Sequence, residues 1–411
     1  MVHFLAFVWF VLPLLCILGS TSAGYVTTCS GIVRMRYRRD VISLTDFGGI
    51  GDGRTLNTLA FRKAIYRIEH LSRSGGTLLY IPPGVWLTGS FNLTSHMTLY
   101  LAKDAVIRAS QVSLFRENGT IDGQGEVWWN MWRDRSLQFT RPNLIELINS
   151  NDIIISNVVF RNSPFWNIHP VYCSNVVIRY VTVLAPPDSP NTDGIDPDSS
   201  SNMCIEDSYI STGDDLVAIK SGWDEYGIAY ARPSSFITIR RISGSSLAFT
   251  GIAFGSETSG GISDIVVENI TLVNTATAIF LKTNAGRGGY IRNITVRGVH
   301  LENVTKAIKF AGDVGDHPDD KYDPRALPVV EGVSISDVWG VGVMQPGSMK
   351  GINGAPFKGI CLSNVNLYGW VPGAQWKCTD ISGVALGVRP WPCAELAATH
   401  GTGACSLRVL S

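Results

Sequence analysis

The sequence has no surplus of charge: 34 Lys and Arg balance 34 Asp and Glu over 411 residues. That balance removes steering of nucleic acid or another polyanion by net charge, so an anionic partner would have to be recognised by local residues. None of the eight cysteines forms a CxxC pair, which argues against a zinc site. Asn-Gly and Asp-Gly pairs between long alternating runs are largely missing, and with them the tight hairpins on which sandwiches and propellers depend. Long apolar runs are also scarce. The one at the N-terminus holds about 15 apolar residues, short of the roughly 20 needed to span a bilayer.

That run, from Met1-Val2-His3-Phe4-Leu5 to Ser20-Thr21-Ser22-Ala23, ends in small residues and reads as a cleavable secretory signal over 1–23. The remainder, 24–411, is expected to be one domain, since elongated all-β folds reach this length as a single unit. Cys361, Cys378, Cys393 and Cys405 cluster near the C-terminus, a pattern suggesting disulfides that close the end of a secreted fold. Cys173 and Cys204 either pair or serve as small buried hydrophobes. With Cys16 inside the signal, seven cysteines remain and one must be unpaired. Sequons at Asn92, Asn118, Asn269, Asn293 and Asn303 also fit passage through a secretory pathway.

What is present in abundance is repetition. Asp152-Ile153-Ile154-Ile155-Ser156-Asn157-Val158 resembles Asn175-Val176-Val177-Ile178-Arg179-Tyr180-Val181, and similar units start at Asn202, Phe236, Asp264 and Asn293. The steps are 23, 27, 34, 28 and 29 residues, within the range of solenoids. Short β-branched runs broken by Gly, Asn, Ser or Asp specify strands and turns, so the spacing predicts an all-β parallel β-helix. Ahead of it, Leu59-Ala60-Phe61-Arg62-Lys63-Ala64-Ile65 has helical spacing and predicts a short helix capping the open end. Gly75 to Gly84 reads as a strand ended by a turn.

Within the repeats, Ser189-Pro190-Asn191-Thr192-Asp193-Gly194 and Thr212-Gly213-Asp214-Asp215 put three carboxylates into two glycine-marked turns. Residues one repeat apart stack on neighbouring coils about 4.8 Å apart. Asp193, Asp214, Gly251 and Lys282 are therefore expected in one line across four coils. Gly213 is expected to supply the backbone that turns both Asp214 and Asp215 outward. Crowded carboxylates raise at least one pKa, giving a protonated acid beside ionised neighbours, which is what glycoside hydrolysis needs. A calcium site and a solvated turn are the other readings of such a cluster.

Asn191-Thr192-Asp193-Gly194, Gly213-Asp214-Asp215 and Gly255-Ser256-Glu257-Thr258-Ser259-Gly260-Gly261 together resemble the polygalacturonase family, glycoside hydrolase family 28. Ala218-Ile219-Lys220-Ser221-Gly222-Trp223-Asp224-Glu225-Tyr226-Gly227 is similar to its plant polygalacturonase-like branch, and Gly119-Thr120-Ile121-Asp122-Gly123-Gln124-Gly125 also matches. The resemblance implies a single right-handed parallel β-helix that hydrolyses α-1,4-linked galacturonate in pectin, with inversion and without cofactor or metal. It assigns Asp214 as general acid and Asp193 and Asp215 as the pair holding the attacking water. Lys282, Asn191, His169 and Arg287 become candidate substrate-binding residues. Acid and base are expected roughly 6.5–9.5 Å apart, the span usual for inverting enzymes. The expected setting is a monomer in the extracellular space or cell wall, with no nucleic-acid or membrane partner.

The chain departs from the family at three places. Thr250 stands where a histidine is usual, and Phe280 stands where an arginine usually binds substrate carboxylate. Only Arg108 to Glu117 bridges a stretch that is normally longer. These departures leave open a binding homologue with impaired catalysis, and more remotely a calcium-dependent lyase. Arg287 is the candidate replacement for the missing arginine.

Overall fold

The repeats close into coils of a parallel β-helix, and every pairing between the strands below is parallel. The computed structural model describes residues 29, 31–33, 37–71, 74–110, 119–315 and 317–396, all within one compact unit, Thr27–Ser406. The signal assigned to 1–23, Asn118, Cys405 and most of the short 108–117 bridge lie outside the described residues.

Inward-facing aliphatics stack coil upon coil. One row runs Val176, Met203, Ile237, Ile265, Ile294, Val333 and Ile360, each next to its predecessor in register and each at most 3 % exposed. Period-2 alternation in each short run puts these residues inside, and the repeat places them one above another. The coil bends where a residue adopts positive φ. Asp152, Asn175, Asn202, Phe236, Asp264 and Asn293, the starts of the repeats read from sequence, all have φ between 50° and 58° and line one corner. Asp and Asn enter this region at lower cost than other side chains, which is why they recur there. Their side chains also bond along the corner: Asn175 donates to Asp152 at 2.9 Å and Asn202 to Asn175 at 2.7 Å.

The capping helix is longer than its sequence core suggested. α1 spans Thr58–Leu71 and buries Phe61, Ala64, Ile65 and Ile68 against Leu79, Ile81 and Trp86. Two further helices are present, α2 (Glu126–Arg133) and α3 (Asp224–Tyr230). Trp129 of α2 is buried and donates its indole N–H to the Ser163 carbonyl at 3.1 Å. The strands flanking the bridge after Ile107 are neighbours: Val106 pairs with Thr120.

Cys204 does not pair with Cys173. It bonds to Cys29, 175 positions earlier, and among the described residues Cys173 is the free, buried thiol. Sequence could not reveal this, because the partner lies outside the repeats. Cys378 bonds to Cys393, and Cys361 is disulfide-bonded as well.

Candidate active site

The carboxylates come together at a single row of the sheet. Ile195, Val217 and Ile252 are in register, and Asp193, Asp215 and Thr250 each sit two residues before one of them. The row is therefore Asp193–Asp215–Thr250, not the expected line through Asp214, Gly251 and Lys282. Lys282 lies farther along its strand, just past the Phe254–Leu281 pair, and reaches the row with its side chain. Its ammonium contacts Asp215 Oδ2 at 2.6 Å, while the Thr250 backbone N–H donates to Asp215 Oδ1 at 2.9 Å. Thr250 thus serves the site through its backbone.

Asp214 and Asp215 both bring a carboxylate oxygen toward Asp193 because they lie in the turn that precedes the strand Val217–Ile219. Gly213 is needed there for a different reason from the one expected. Its φ is not positive; a Cβ would come within 2.1 Å of the Ser189 carbonyl oxygen, so its role is close packing between the two turns. Thr192 Oγ1 accepts from the Gly213 N–H at 3.0 Å, and Ser246 donates to the Asp214 carbonyl at 2.8 Å, which fixes the turns against each other.

All three carboxylates are at most 6 % exposed, and each places an oxygen within 4.8 Å of the others. That is closer than the separation anticipated from sequence, because adjacent coils bring stacked side chains to the interstrand distance. Burial, then the neighbouring Asp193 and Asp215, pushes Asp214 up to about 8. Burial also lifts Asp193, to about 6, against the pull of Lys220. Asp193 Oδ1 is buried with no hydrogen-bond partner. Three converging oxygens could also accept a hard cation. The Lys282 ammonium on Asp215 and the raised pKa of Asp214 oppose that use, since both reduce the negative charge available to a metal.

Three of the four substrate-binding candidates lie near the trio or its groove. Asn191, at φ 51°, accepts from Arg141 Nη2 at 2.6 Å. His169 stands three residues past that row, one beyond the Ile168–Ile195 pair. Its Nδ1 lies 3.2 Å from Asn143 Nδ2, and its Nε2 3.7 Å from Asp198 Oδ2. Arg287 does not reach the groove. It is fully buried, paired with Asp224 Oδ1 at 2.5 Å and donating to the Ser256 carbonyl at 2.9 Å. It ties α3 to the following coils and cannot replace the arginine absent at Phe280.

Sequence reasoning missed two buried cations. Arg141 donates to the carbonyls of Pro164 at 3.1 Å and Pro190 at 2.6 Å, beneath Phe165. Burial lowers its pKa to about 10, opposed by Asp193 and Asp214. Lys220 sits 4.5 Å over the Trp166 ring, 3.4 Å from Glu257 and 3.9 Å from Asp196. Burial disfavours the Lys220 ammonium, but Glu257 and Asp196 outweigh it and raise the pKa. Lys220 and Glu257 stand inside motifs already singled out, so their pairing was within reach. Arg141 lies 50 positions from Asn191 with no motif around it, and nothing in the sequence marks it.

A parallel β-helix that carries one neutral-leaning carboxyl among buried carboxylates points to the class of solenoid glycoside hydrolases. Comparison with known proteins makes the assignment specific. Residues 66–388 match Glycosyl hydrolases family 28, and the chain belongs to that family. It is 45 % identical over 392 residues to a probable polygalacturonase of Vitis vinifera, covering 86 % of this chain and 80 % of that one. The fold matches an exopolygalacturonase of Thermotoga maritima with a TM-score of 0.70 and 27 % identity, over 86 % of this chain and 94 % of the other. A polygalacturonase of Erwinia carotovora aligns with a TM-score of 0.68 at 22 % identity, covering 85 % and 98 %. The fold shared with these structures is the right-handed parallel β-helix, and the protein is a glycosidase.

Proposed function

We propose that the protein hydrolyses α-1,4-galacturonosyl linkages of pectin by direct attack of water, with Asp214 as general acid and Asp193 and Asp215 as the water-holding pair. The observation that carries the reading is the division among three clustered carboxyls. Asp214, pushed up to about 8, retains its proton at neutral pH and can give it to the glycosidic oxygen. Asp215 has both oxygens engaged, by Thr250 and Lys282, which makes it a poor nucleophile but a rigid acceptor. Asp193, in the same row with one unpartnered oxygen, completes a two-point hold on a water. The 4.8 Å spread of oxygens by itself would also suit a retaining enzyme, whose carboxyls lie roughly 5–5.5 Å apart. The occupied oxygens of Asp215 are what favour inversion.

The test is turnover of polygalacturonate with proton NMR of the first product. The β-anomer should appear first, and Asp214→Asn should lose about 10²–10⁴-fold in kcat. An α-anomer first, or wild-type turnover in Asp214→Asn, would remove the assignment. A secreted, extracellular setting is part of the same proposal. The Cys29–Cys204 and Cys378–Cys393 bonds support it, because such bonds persist in oxidising compartments. Among the described residues no helix is long and apolar enough to cross a membrane.

A further inference from the structure

The groove is electrically lopsided about the trio. On the N-terminal side, Glu146 and His169 are register partners, and Asp198 lies 3.7 Å from the imidazole. On the C-terminal side stand lysines. Lys309 is the register partner of Phe280, Ser348 pairs with Lys309, and Lys377 pairs with Ser348, so two ammoniums lie in line beyond that ring. Lys306 stands three residues before Lys309 and donates to Ser348 at 3.3 Å. The Phe280 ring lies between two cations, Lys309 at 4.2 Å and Lys282 at 5.6 Å from its centroid.

These lysines lack internal counterions. Among the described residues Lys306, Lys309 and Lys377 enter no ion pair, and the carboxylate acting on Lys309, Asp313, is taken by Lys350 at 2.5 Å. Burial lowers the pKa of Lys306 and Lys309, and the neighbouring lysines lower it further. Two half-buried ammoniums, Lys306 and Lys309, with the exposed Lys377 in line beyond Ser348, are a place prepared for an anion that arrives from outside.

We infer that Lys309, with Lys306 and Lys377, forms a carboxylate-binding ladder on the coils C-terminal to the trio, and that Lys309 replaces across the coil the cation absent at Phe280. The occupant is a polyuronate chain with free carboxylates on successive sugars. A methyl-esterified chain offers no charge to these ammoniums and is discriminated against. This inference rests on the proposed pectic substrate and names the part of the groove that selects its charge.

The experiment uses the full chain with hexagalacturonate and its methyl-esterified counterpart. Lys309→Met should raise KM for hexagalacturonate roughly tenfold, with the larger effect on KM and not on kcat, and Lys309→Arg should restore it. The preference for the unesterified chain should shrink by a similar factor. Lys377→Met, at an exposed position that cannot disturb the core, should raise KM by a smaller factor and flatten its salt dependence. Binding of hexagalacturonate to Asp214→Asn, followed by calorimetry, separates this inference from the proposed reaction. Binding that weakens with Lys309→Met supports the ladder whether or not the wild type cleaves. Unchanged binding and unchanged KM in Lys309→Met and Lys377→Met overturn it, even in an active enzyme.

Discussion

At the scale of single residues, the site holds its chemistry against the stability of the fold. Asp214 titrates in the folded chain near 8, well above its ordinary 3.8, chiefly because it is buried and then because Asp193 and Asp215 face it. A carboxyl with a raised folded pKa stabilises the fold most below its unfolded value, and that contribution is lost as pH rises through the folded one. The native state binds the extra proton between about 4 and 8, so stability should fall across that window. Asp214→Asn removes the titration, and with it the cost of placing a charge among buried neighbours. Its Tm should exceed that of the wild type by several degrees at pH 8.5, with the gap closing toward pH 4. A thermal-melt series against pH decides the matter: a gap that stays constant, or grows on acidification, would contradict the raised pKa. Asp196 belongs to the same account. It is fully buried, neither oxygen has a hydrogen-bond partner, and burial followed by Asp193 raises its pKa well above the usual range.

At the scale of elements, the stacked rows do two kinds of work. The inner aliphatic rows supply the driving force for folding, and one interrupted rung should be felt by both neighbouring coils. Ile265 packs between Ile237 and Ile294, all at most 1 % exposed. Ile265→Ala should cost about 2–5 kcal/mol by denaturant melt, because adjacent coils cannot close on the cavity without losing register. A cost below about 1 kcal/mol would mean the coils relax independently. An outer row alternates in sign, Arg179, Glu206, Arg240, Glu268 and Arg297, so each coil faces its opposite charge on the next. Glu206 accepts from both Arg240 at 2.7 Å and Arg241 at 2.9 Å.

Much of this organisation is legible in the sequence, because a solenoid repeats its local rules. The corner residues Asp152, Asn175 and Asn202 were visible as repeat starts, since Asn and Asp fit positive φ, and the same repeats forecast the stacking of strands. What the sequence could not supply was phase. The three carboxylates were evident as a cluster, but the row Asp193–Asp215–Thr250 depends on where the turn before Val217 ends. A shift of one residue moves a side chain to the other face. Long side chains add a second blind spot. Lys282 reaches the trio from a different row, whereas Arg287, equally promising as text, turns inward to Asp224. Arg141 reaches Asn191 from 50 positions away, a distance over which no local pattern carries information.

At the scale of the whole molecule, the short bridge after Ile107 divides the hydrophobic interior. The N-terminal core gathers Leu44, Phe61, Leu79, Ile81, Trp86 and their neighbours, twelve buried side chains among the described residues. It is a cluster apart from the main core, and Ile121, only partly buried, packs against both. Among the described residues the strands on either side of the bridge pair over Val106–Arg108 and Thr120–Asp122 alone, whereas Ile262–Lys282 and Tyr290–Ala311 pair along nearly their whole length. In a solenoid each coil is stabilised by its neighbours, so a narrow interface sets a low free energy for opening what lies beyond it. Native-state hydrogen exchange should therefore show amides of Thr77–Ile81 and Met97–Leu101 exchanging at least roughly tenfold faster than those of Ile265–Val267 and Ile294–Val296. Equal protection in the two regions would mean that the cap and the main solenoid open together, and that α1 and its small core are coupled across the bridge more tightly than three paired residues allow. The expected outcome has a consequence for the enzyme. Asp193, Asp214, Asp215 and the lysine ladder all lie on the well-paired side, so opening of the N-terminal cap should leave the groove intact.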